Sequence, residues 1–398
     1  MTETRTLESL QKPFRTDQCA VAGLCLRGLS HEADNMPVQD SFAALRLDNG
    51  WIALIVADGV GSEPRSDIGA QLAVTTVANH LNRFWGAQAS DEAVHAMLHA
   101  AYQAACGAIW QRAKADNAPL HEYSTTLHTA LFDDGRVYMM HAGDGGIAIM
   151  DENGAFRALT KPMKDTDGEA VVPLQAGPEK WQFSVSETYA QCVLVATDGF
   201  WDKLCPGVLR AYGYEGGMDR SIAAYFMSPW ARDWSADDLE AAVAEEASIL
   251  RAEMDQAVPA FYSRLVQAIA QGGDDGAATE LVRTEVASGN RPVKVLRNIK
   301  DDTTALVLVR FDPLPQNQPL EYYQPPDWNA IGQWVRQRLN AATEGINVAQ
   351  MPAKPASIEP TKPEPMETGP AESASVKPES KASEPTAIEK GEDKDELQ

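Results

Sequence analysis

Along this 398-residue chain, apolar positions cluster into short runs that predict strands, interrupted by two stretches of helical period. Residues 19–28 form a first apolar strand. Residues 42–48 and 51–57 flank Asn49-Gly50, the strongest short hairpin signal, since a two-residue turn needs positive φ that these residues tolerate. The run 52–57 reads as a buried strand that presents Asp58 at its tip, and Gly59 and Gly61 after it let the backbone turn sharply. Residues 1–18 are polar and predicted loose, and 30–41 a polar loop.

Ser66 can cap a helix in which Ile68, Leu72, Val77, Leu81 and Phe84 roughly follow a helical period. A second helix over 91–114 carries Val94, Met97, Leu98, Ala101, Ala105 and Ile109 in the same manner. Strands then return. Residues 124–132 and 136–141 flank Asp133-Asp134-Gly135, and 147–150 and 156–159 flank Asn153-Gly154, which predicts an antiparallel meander. A long loop is expected over 161–185, a strand over 192–197 running into Asp198-Gly199, and a last strand over 303–311 after Asp301-Asp302.

The order of elements predicts an α+β fold, an antiparallel β-sandwich covered by helices. Residues 206–290 read as a largely helical insertion without a catalytic pattern, so one domain is expected over 15–313. Residues 314–350 form an extension with one amphipathic helix over 327–343 (Trp328, Ile331, Trp334, Val335, Leu339). From Met351 there is no aromatic residue, and a Pro/Glu/Lys/Ser-rich tail over 351–398 is expected to be disordered.

Composition narrows the function. A formal charge of −23 argues against nucleic acid or an anionic membrane as the main partner. Five scattered cysteines without a Cys-x-x-Cys pair fit reduced thiols in the cytoplasm better than a disulfide framework or a zinc site. The first twelve residues lack the apolar core of a signal peptide, and no apolar run approaches a membrane span; a cytoplasmic protein is expected.

The candidate chemistry lies in aspartates at strand ends: Asp40 before a strand, Asp58 and Asp198 after strands, and Asp301 before the last one. Asp144, in His-Ala-Gly-Asp-Gly-Gly, and Asp202 belong with them. A single strand-end aspartate is usually a turn former or cap. Several brought together would repel, and would require protons or cations between them. All-oxygen ligands favour hard ions, Mg²⁺ or Mn²⁺, and two such ions can acidify a shared water and clamp a phosphoryl group.

In order and spacing, Gln39-Asp40-Ser41, Val56-Ala57-Asp58-Gly59-Val60-Gly61-Ser62, Ala142-Gly143-Asp144, Ala196-Thr197-Asp198-Gly199-Phe200-Trp201-Asp202 and the run from Asp301 to Leu308 resemble the metal-dependent serine/threonine protein phosphatases of type 2C, most closely the compact bacterial branch. The resemblance spans roughly residues 19–311. It implies an α-β-β-α arrangement, a β-sandwich flanked by helix pairs, with two Mn²⁺ or Mg²⁺ ions at one end. Asp58 would bridge both ions, the Gly59 carbonyl would bind one, Asp198 and Asp301 would ligate one, and Asp40 would hold the other. Asp144 and Asp202 match the positions of a third, weaker ion. The implied reaction is hydrolysis of phosphoserine and phosphothreonine by a metal-bridging hydroxide, without a phospho-enzyme. The implied partners are phosphoprotein substrates and a cognate Ser/Thr kinase or its targets.

The chain departs from the pattern at three places. Val60 stands where animal members have a histidine, as in bacterial relatives. The usual phosphate-binding arginine before the first aspartate is absent, and the loop offers His31 as a phosphate contact. The common Gly-Asp-Ser-Arg is Gly143-Asp144-Gly145-Gly146. Two other readings remain open at this stage: an inactive phosphatase-fold scaffold that binds a partner, and a metal-dependent hydrolase of another phosphate ester.

Overall fold

A computed structural model describes residues 4–85, 90–152, 156–165, 170–204, 301–311, 328–343 and part of 241–251. Its strands form two antiparallel sheets. In spatial order the first is β1 (Phe14–Arg15), β2 (Cys19–Leu26), β11 (Thr303–Arg310), β10 (Ala190–Ala196), β7 (Gly146–Asp151) and β8 (Phe156–Ala158). The second is β3 (Asp40–Arg46), β4 (Ile52–Asp58), β5 (Leu127–Asp133), β6 (Arg136–Ala142) and β9 (Gln182–Val185).

Side chains alternate faces along each strand, and in the central strands both faces are buried. On β4, Ile52, Leu54 and Val56 meet Val193, Val195, Leu306 and Leu308 of the opposite sheet. Ala53, Ile55 and Ala57 turn instead to helices α3 (Ser66–Phe84) and α4 (Asp91–Ala115). On the far side, Leu194, Ala196, Val307 and Val309 pack with Phe200 and Trp201 of α5 (Asp198–Leu204) and with Val243. The layers are therefore helix, sheet, sheet, helix. Because the strands are covered on both sides, they appear in the sequence as continuous apolar runs rather than alternating ones. Leu54 and Ile55 are fully buried, and each such side chain stabilises the fold by roughly 1.5–3 kcal/mol relative to exposure.

The buried stripe of α3 is made largely of small residues: Gly69, Ala70, Ala73, Val74, Val77, Ala78 and Leu81. They let the helix lie close to the sheet and α4 at once. Of the expected anchors, Ile68 and Leu72 are only partly buried, and Phe84 is 53% exposed. In α4 the Tyr102 hydroxyl, fully buried, sits 2.5 Å from the Met140 carbonyl oxygen and 3.1 Å from that of Leu127, which ties the helix to β5 and β6.

Four sequence expectations are revised. The N-terminal stretch holds a short helix α1 (Leu7–Leu10), whose Leu10 is buried, and β1 pairs with β2. The supposed loop 30–41 contains helix α2 (Leu29–Ala33). The two hairpins read as one meander belong to different sheets: β5 pairs β6 in one, β7 pairs β8 in the other. Residues 161–185 are not one loop, since β9 completes the second sheet beside β6. Strand 9 alternates between exposed and half-buried positions at the sheet edge, which weakens its sequence signal.

The C-terminal helix appears as α6 (Trp328–Thr343), with Trp334 and Val335 buried. The described residues within 241–251 are helical. Most of the insertion 206–290 and all of the tail 351–398 lie outside the described residues. Among the described residues, no helix is long and apolar enough to cross a membrane.

Antiparallel order also gathers the loops that matter. The C-terminal ends of β2, β4, β6 and β10 lie beside the N-terminal ends of β11, β3, β5 and β7: Leu26 pairs with Thr303, Asp58 with Asp40, Ala142 with Leu127, and Ala196 with Gly146. Aspartates far apart in sequence therefore arrive on one rim.

Candidate metal centre

Asp40 and Asp58 stand opposite each other in the β3–β4 ladder, and Asp198 opens α5 where β10 ends. Asp144 lies on the crossing from β6 in one sheet to β7 in the other. Asp58, Asp144 and Asp198 each place a carboxylate oxygen within 4.8 Å of the others. Asp202 follows Asp198 by four residues on α5, hence on the same helical face.

Backbone hydrogen bonds fix this rim. The Asp58 amide donates to Thr126 Oγ1 at 2.9 Å, and its carbonyl accepts from the Thr126 amide at 2.7 Å and Thr125 Oγ1 at 2.8 Å. Gly59 donates to the Gln39 carbonyl at 3.0 Å, which joins the two strand ends again. A β-carbon on Gly59 would lie 2.7 Å from the carbonyl oxygen of Ser66, so only glycine lets the first turn of α3 approach this closely. At Gly199 the approach is tighter still: a β-carbon would lie 2.0 Å from the Asp302 carbonyl oxygen.

Burial and mutual charge raise the pKa of these carboxylates. Burial first, then the Asp302 and Asp301 carboxylates, push the Asp40 carboxyl up to about 8, while the nearby hydroxyls of Thr304 and Thr197 pull it down. Asp58 is raised well above the carboxylate range by burial and by the charges of Asp40, Asp198, Asp301 and Asp144. Asp198 is raised likewise by burial, then by Asp144, Asp301 and Asp202. Asp301 is raised by burial, in part offset by a hydrogen bond from the Asp302 amide. Thr197 Oγ1 donates to Asp40 Oδ2 at 2.8 Å, but Asp40 Oδ1 is buried without a partner. An all-oxygen set of crowded carboxylates, one with an orphaned oxygen, fits a hard divalent cation.

A family model described as protein phosphatase 2C matches residues 27–242, more than half of the chain. The chain belongs to the protein phosphatase 2C family. It is therefore a protein phosphatase, a hydrolase. The match includes Asp40, Asp58, Asp144, Asp198 and Asp202 and ends before Asp301. Similar solved structures include the S. agalactiae serine/threonine phosphatase, at 13% identity and TM-score 0.43, covering 73% of this chain and 99% of that one. The catalytic domain of the serine/threonine protein phosphatase PstP, in complex with two manganese ions, is 18% identical with TM-score 0.41, covering 74% of this chain and 98% of that one. PppA, described as a regulatory component of T6SS in Pseudomonas aeruginosa, is 17% identical with TM-score 0.38, covering 76% and 99%. Among curated proteins, no sequence matches this phosphatase.

His31 is not on an exposed loop. It is buried in α2 at 7% exposure, with Nε2 3.5 Å from Asp301 Oδ1 and Nδ1 3.0 Å from Asp302 Oδ1. Arg27, just upstream, donates to the His31 carbonyl at 2.9 Å. His141 is buried as a packing residue, directly opposite buried His128 in the β5–β6 ladder.

Sequence reading missed three contributors to the phosphatase rim. Asp302 is 2% exposed and accepts from the Gly28 amide at 2.6 Å and the Gln39 amide at 2.5 Å, pinning the segment that delivers Asp40. Its signal was present as the second aspartate of Asp301-Asp302. Thr197 orients Asp40 from within the Ala196-Thr197-Asp198-Gly199 motif. Lys164 ion-pairs with Asp144 Oδ2 from a stretch without any periodic pattern, so nothing local marked it.

Proposed function

We propose that this phosphatase hydrolyses phosphoserine and phosphothreonine on proteins at the rim built by Asp40, Asp58, Asp198 and Asp301. The observation that carries the reading is the convergence of Asp58, Asp144 and Asp198 within 4.8 Å, in a setting that raises the pKa of Asp58 and Asp198. In this reading Asp58 would serve both ions, the Gly59 carbonyl, Asp198 and Asp301 would hold one and Asp40 the other, and Asp144 and Asp202 would belong to a third. When bound, Mn²⁺ or Mg²⁺ would supply an acidified water as nucleophile and positive charge against the phosphoryl oxygens.

The chain's own residues hold the geometry. Thr197 and the Asp302-anchored segment orient Asp40, and the threonine pair 125–126 clamps the Asp58 backbone. We assign His31 to orienting Asp301 rather than to touching phosphate, because its ring is buried between Asp301 and Asp302. Attack of a water oxygen on phosphorus opposite the serine or threonine oxygen forms one P–O bond and breaks the other, and the leaving oxygen takes up a proton given up by the water, which releases inorganic phosphate and the free hydroxyl. The catalytic unit is taken as residues 15–313, with 206–290 as an insertion that selects the partner, a kinase or its targets.

The test is hydrolysis of an aryl phosphate and of phosphopeptides by the full chain with Mn²⁺, against chelator and Asp58→Asn. The expected result is turnover that needs metal and disappears in the variant. No turnover on any substrate would favour the scaffold reading, and preference for nucleotides over phosphopeptides would favour another phosphate ester.

A further inference from the structure

Asp144 serves two masters on this rim. One of its oxygens lies within 4.8 Å of oxygens from Asp58 and Asp198, the spacing of ligands around one cation. Its Oδ2 is already paired with the Lys164 ammonium. The Asp144 side chain is only 6% exposed and that of Lys164 28% exposed, so water does little to weaken the contact. Asp198 and Asp202 add their attraction for the same ammonium.

The lysine is delivered by the fold rather than by chance. Its neighbour Met163 donates its amide to the Gly143 carbonyl at 2.8 Å, tying this segment to the residue before Asp144. Lys164 bridges Val171, flanked by Val172 to Met163 at 3.1 Å and Asp165 to Ala170 at 2.8 Å. The residue before Lys164 is thus held against the Asp144 loop, and the residues around it are held by 170–172. A divalent ion on Asp144 would have to sit beside this fixed positive charge or displace it.

We propose that Lys164 is a built-in cation of the metal centre, taking the charge-balancing place at Asp144 that a further divalent ion would take and so limiting the centre to two ions. This rests on the metal-centre reading above. It also gives a physical role to a motif that reads Gly143-Asp144-Gly145-Gly146: the compensating charge for Asp144 comes from a lysine twenty residues downstream.

The experiment counts bound ions rather than turnover. Mn²⁺ is titrated into the full chain, with free Mn²⁺ followed by electron paramagnetic resonance, for the wild type, Lys164→Met, Lys164→Gln and Lys164→Arg. Two ions in the wild type and Lys164→Arg, three in Lys164→Met or Lys164→Gln, and a return to two on adding Asp144→Asn would support the inference. Folding of each variant is checked by circular dichroism, and the glutamine form stands in if the methionine form fails. Two ions in every form, or three in the wild type, would overturn the inference while leaving the metal centre standing. No bound Mn²⁺ in any form would overturn the metal centre and the inference together.

Discussion

Asp40 and Asp58 face each other as register partners at the open end of the β3–β4 ladder. Like charges directly opposite in a sheet are destabilising, and a slip of one residue would send each side chain to the other face. The turn at Asn49-Gly50 therefore does more than close a hairpin. It sets the register that brings two strand-end aspartates together on the rim.

Above about pH 8, where the Asp40 carboxylate is ionised, Asp40→Asn should raise the stability of the metal-free protein by about 0.5–1 kcal/mol from relief of the cross-strand repulsion. The same change should weaken Mn²⁺ binding by about 10-fold or more. Urea melts with chelator and with Mn²⁺ separate the two effects. Equal destabilisation in both conditions would show that Asp40 is a structural residue and not a ligand.

The pH dependence has a defined sign. Asp40 rises from 3.8 to about 8 in the fold, and Asp58 and Asp198 rise as well, so the folded metal-free state binds more protons than the unfolded chain. Their contribution is fully present below about pH 4 and is lost as pH climbs toward 8. A cation must displace those protons and meets less competition as pH rises. The Tm gain on adding Mn²⁺ should therefore grow between pH 5 and pH 8. Differential scanning fluorimetry at fixed free Mn²⁺ checks this; a gain that is flat or shrinks with pH would contradict the assigned shifts.

Thr197→Val removes the hydroxyl that donates to Asp40 Oδ2 and accepts from the Thr304 amide. Leaving that buried amide unpaired should cost about 1–3 kcal/mol. Losing the orienting hydrogen bond should weaken Mn²⁺ binding about 10–100-fold. Thr197→Ser, which keeps the hydroxyl, should restore most of the affinity, as calorimetric titration would show.

Gly199→Ala would force a methyl group to within 2.0 Å of the Asp302 carbonyl oxygen unless the start of α5 moves. The expected cost is about 1–3 kcal/mol of stability, with a loss of phosphatase activity larger than the stability loss explains, because Asp198 and Asp301 sit on the two backbones pushed apart. Activity measured well below the melting temperature makes the comparison. Unchanged kcat would mean that the Asp198–Asp301 spacing is not critical.

Much of this protein was legible from local pattern. The Asn49-Gly50 and Asp133-Asp134-Gly135 hairpins, the two long helices and the strand-end aspartates each depend on a few adjacent residues, and all are found where the pattern put them. The helix over 328–343 was equally plain, since its apolar stripe repeats within a short span. Strand 9 was not legible: an edge strand of mixed exposure has little pattern, and its place is set by the free edge of β6.

What the chain alone determined is which residues could serve: oxygen ligands at strand ends, glycines where backbone must come close, and a family likeness in their order. What only the tertiary structure decided is which of them meet. Two hairpins that look alike in sequence went to different sheets, and the crossing between them put Asp144 on the rim. His31 turned inward to Asp301 and Asp302, and Lys164 reached Asp144 from an unpatterned stretch. The physical reason is that strand character is local, whereas charge balance at a buried site is settled by long-range packing that brings distant side chains within a few ångströms.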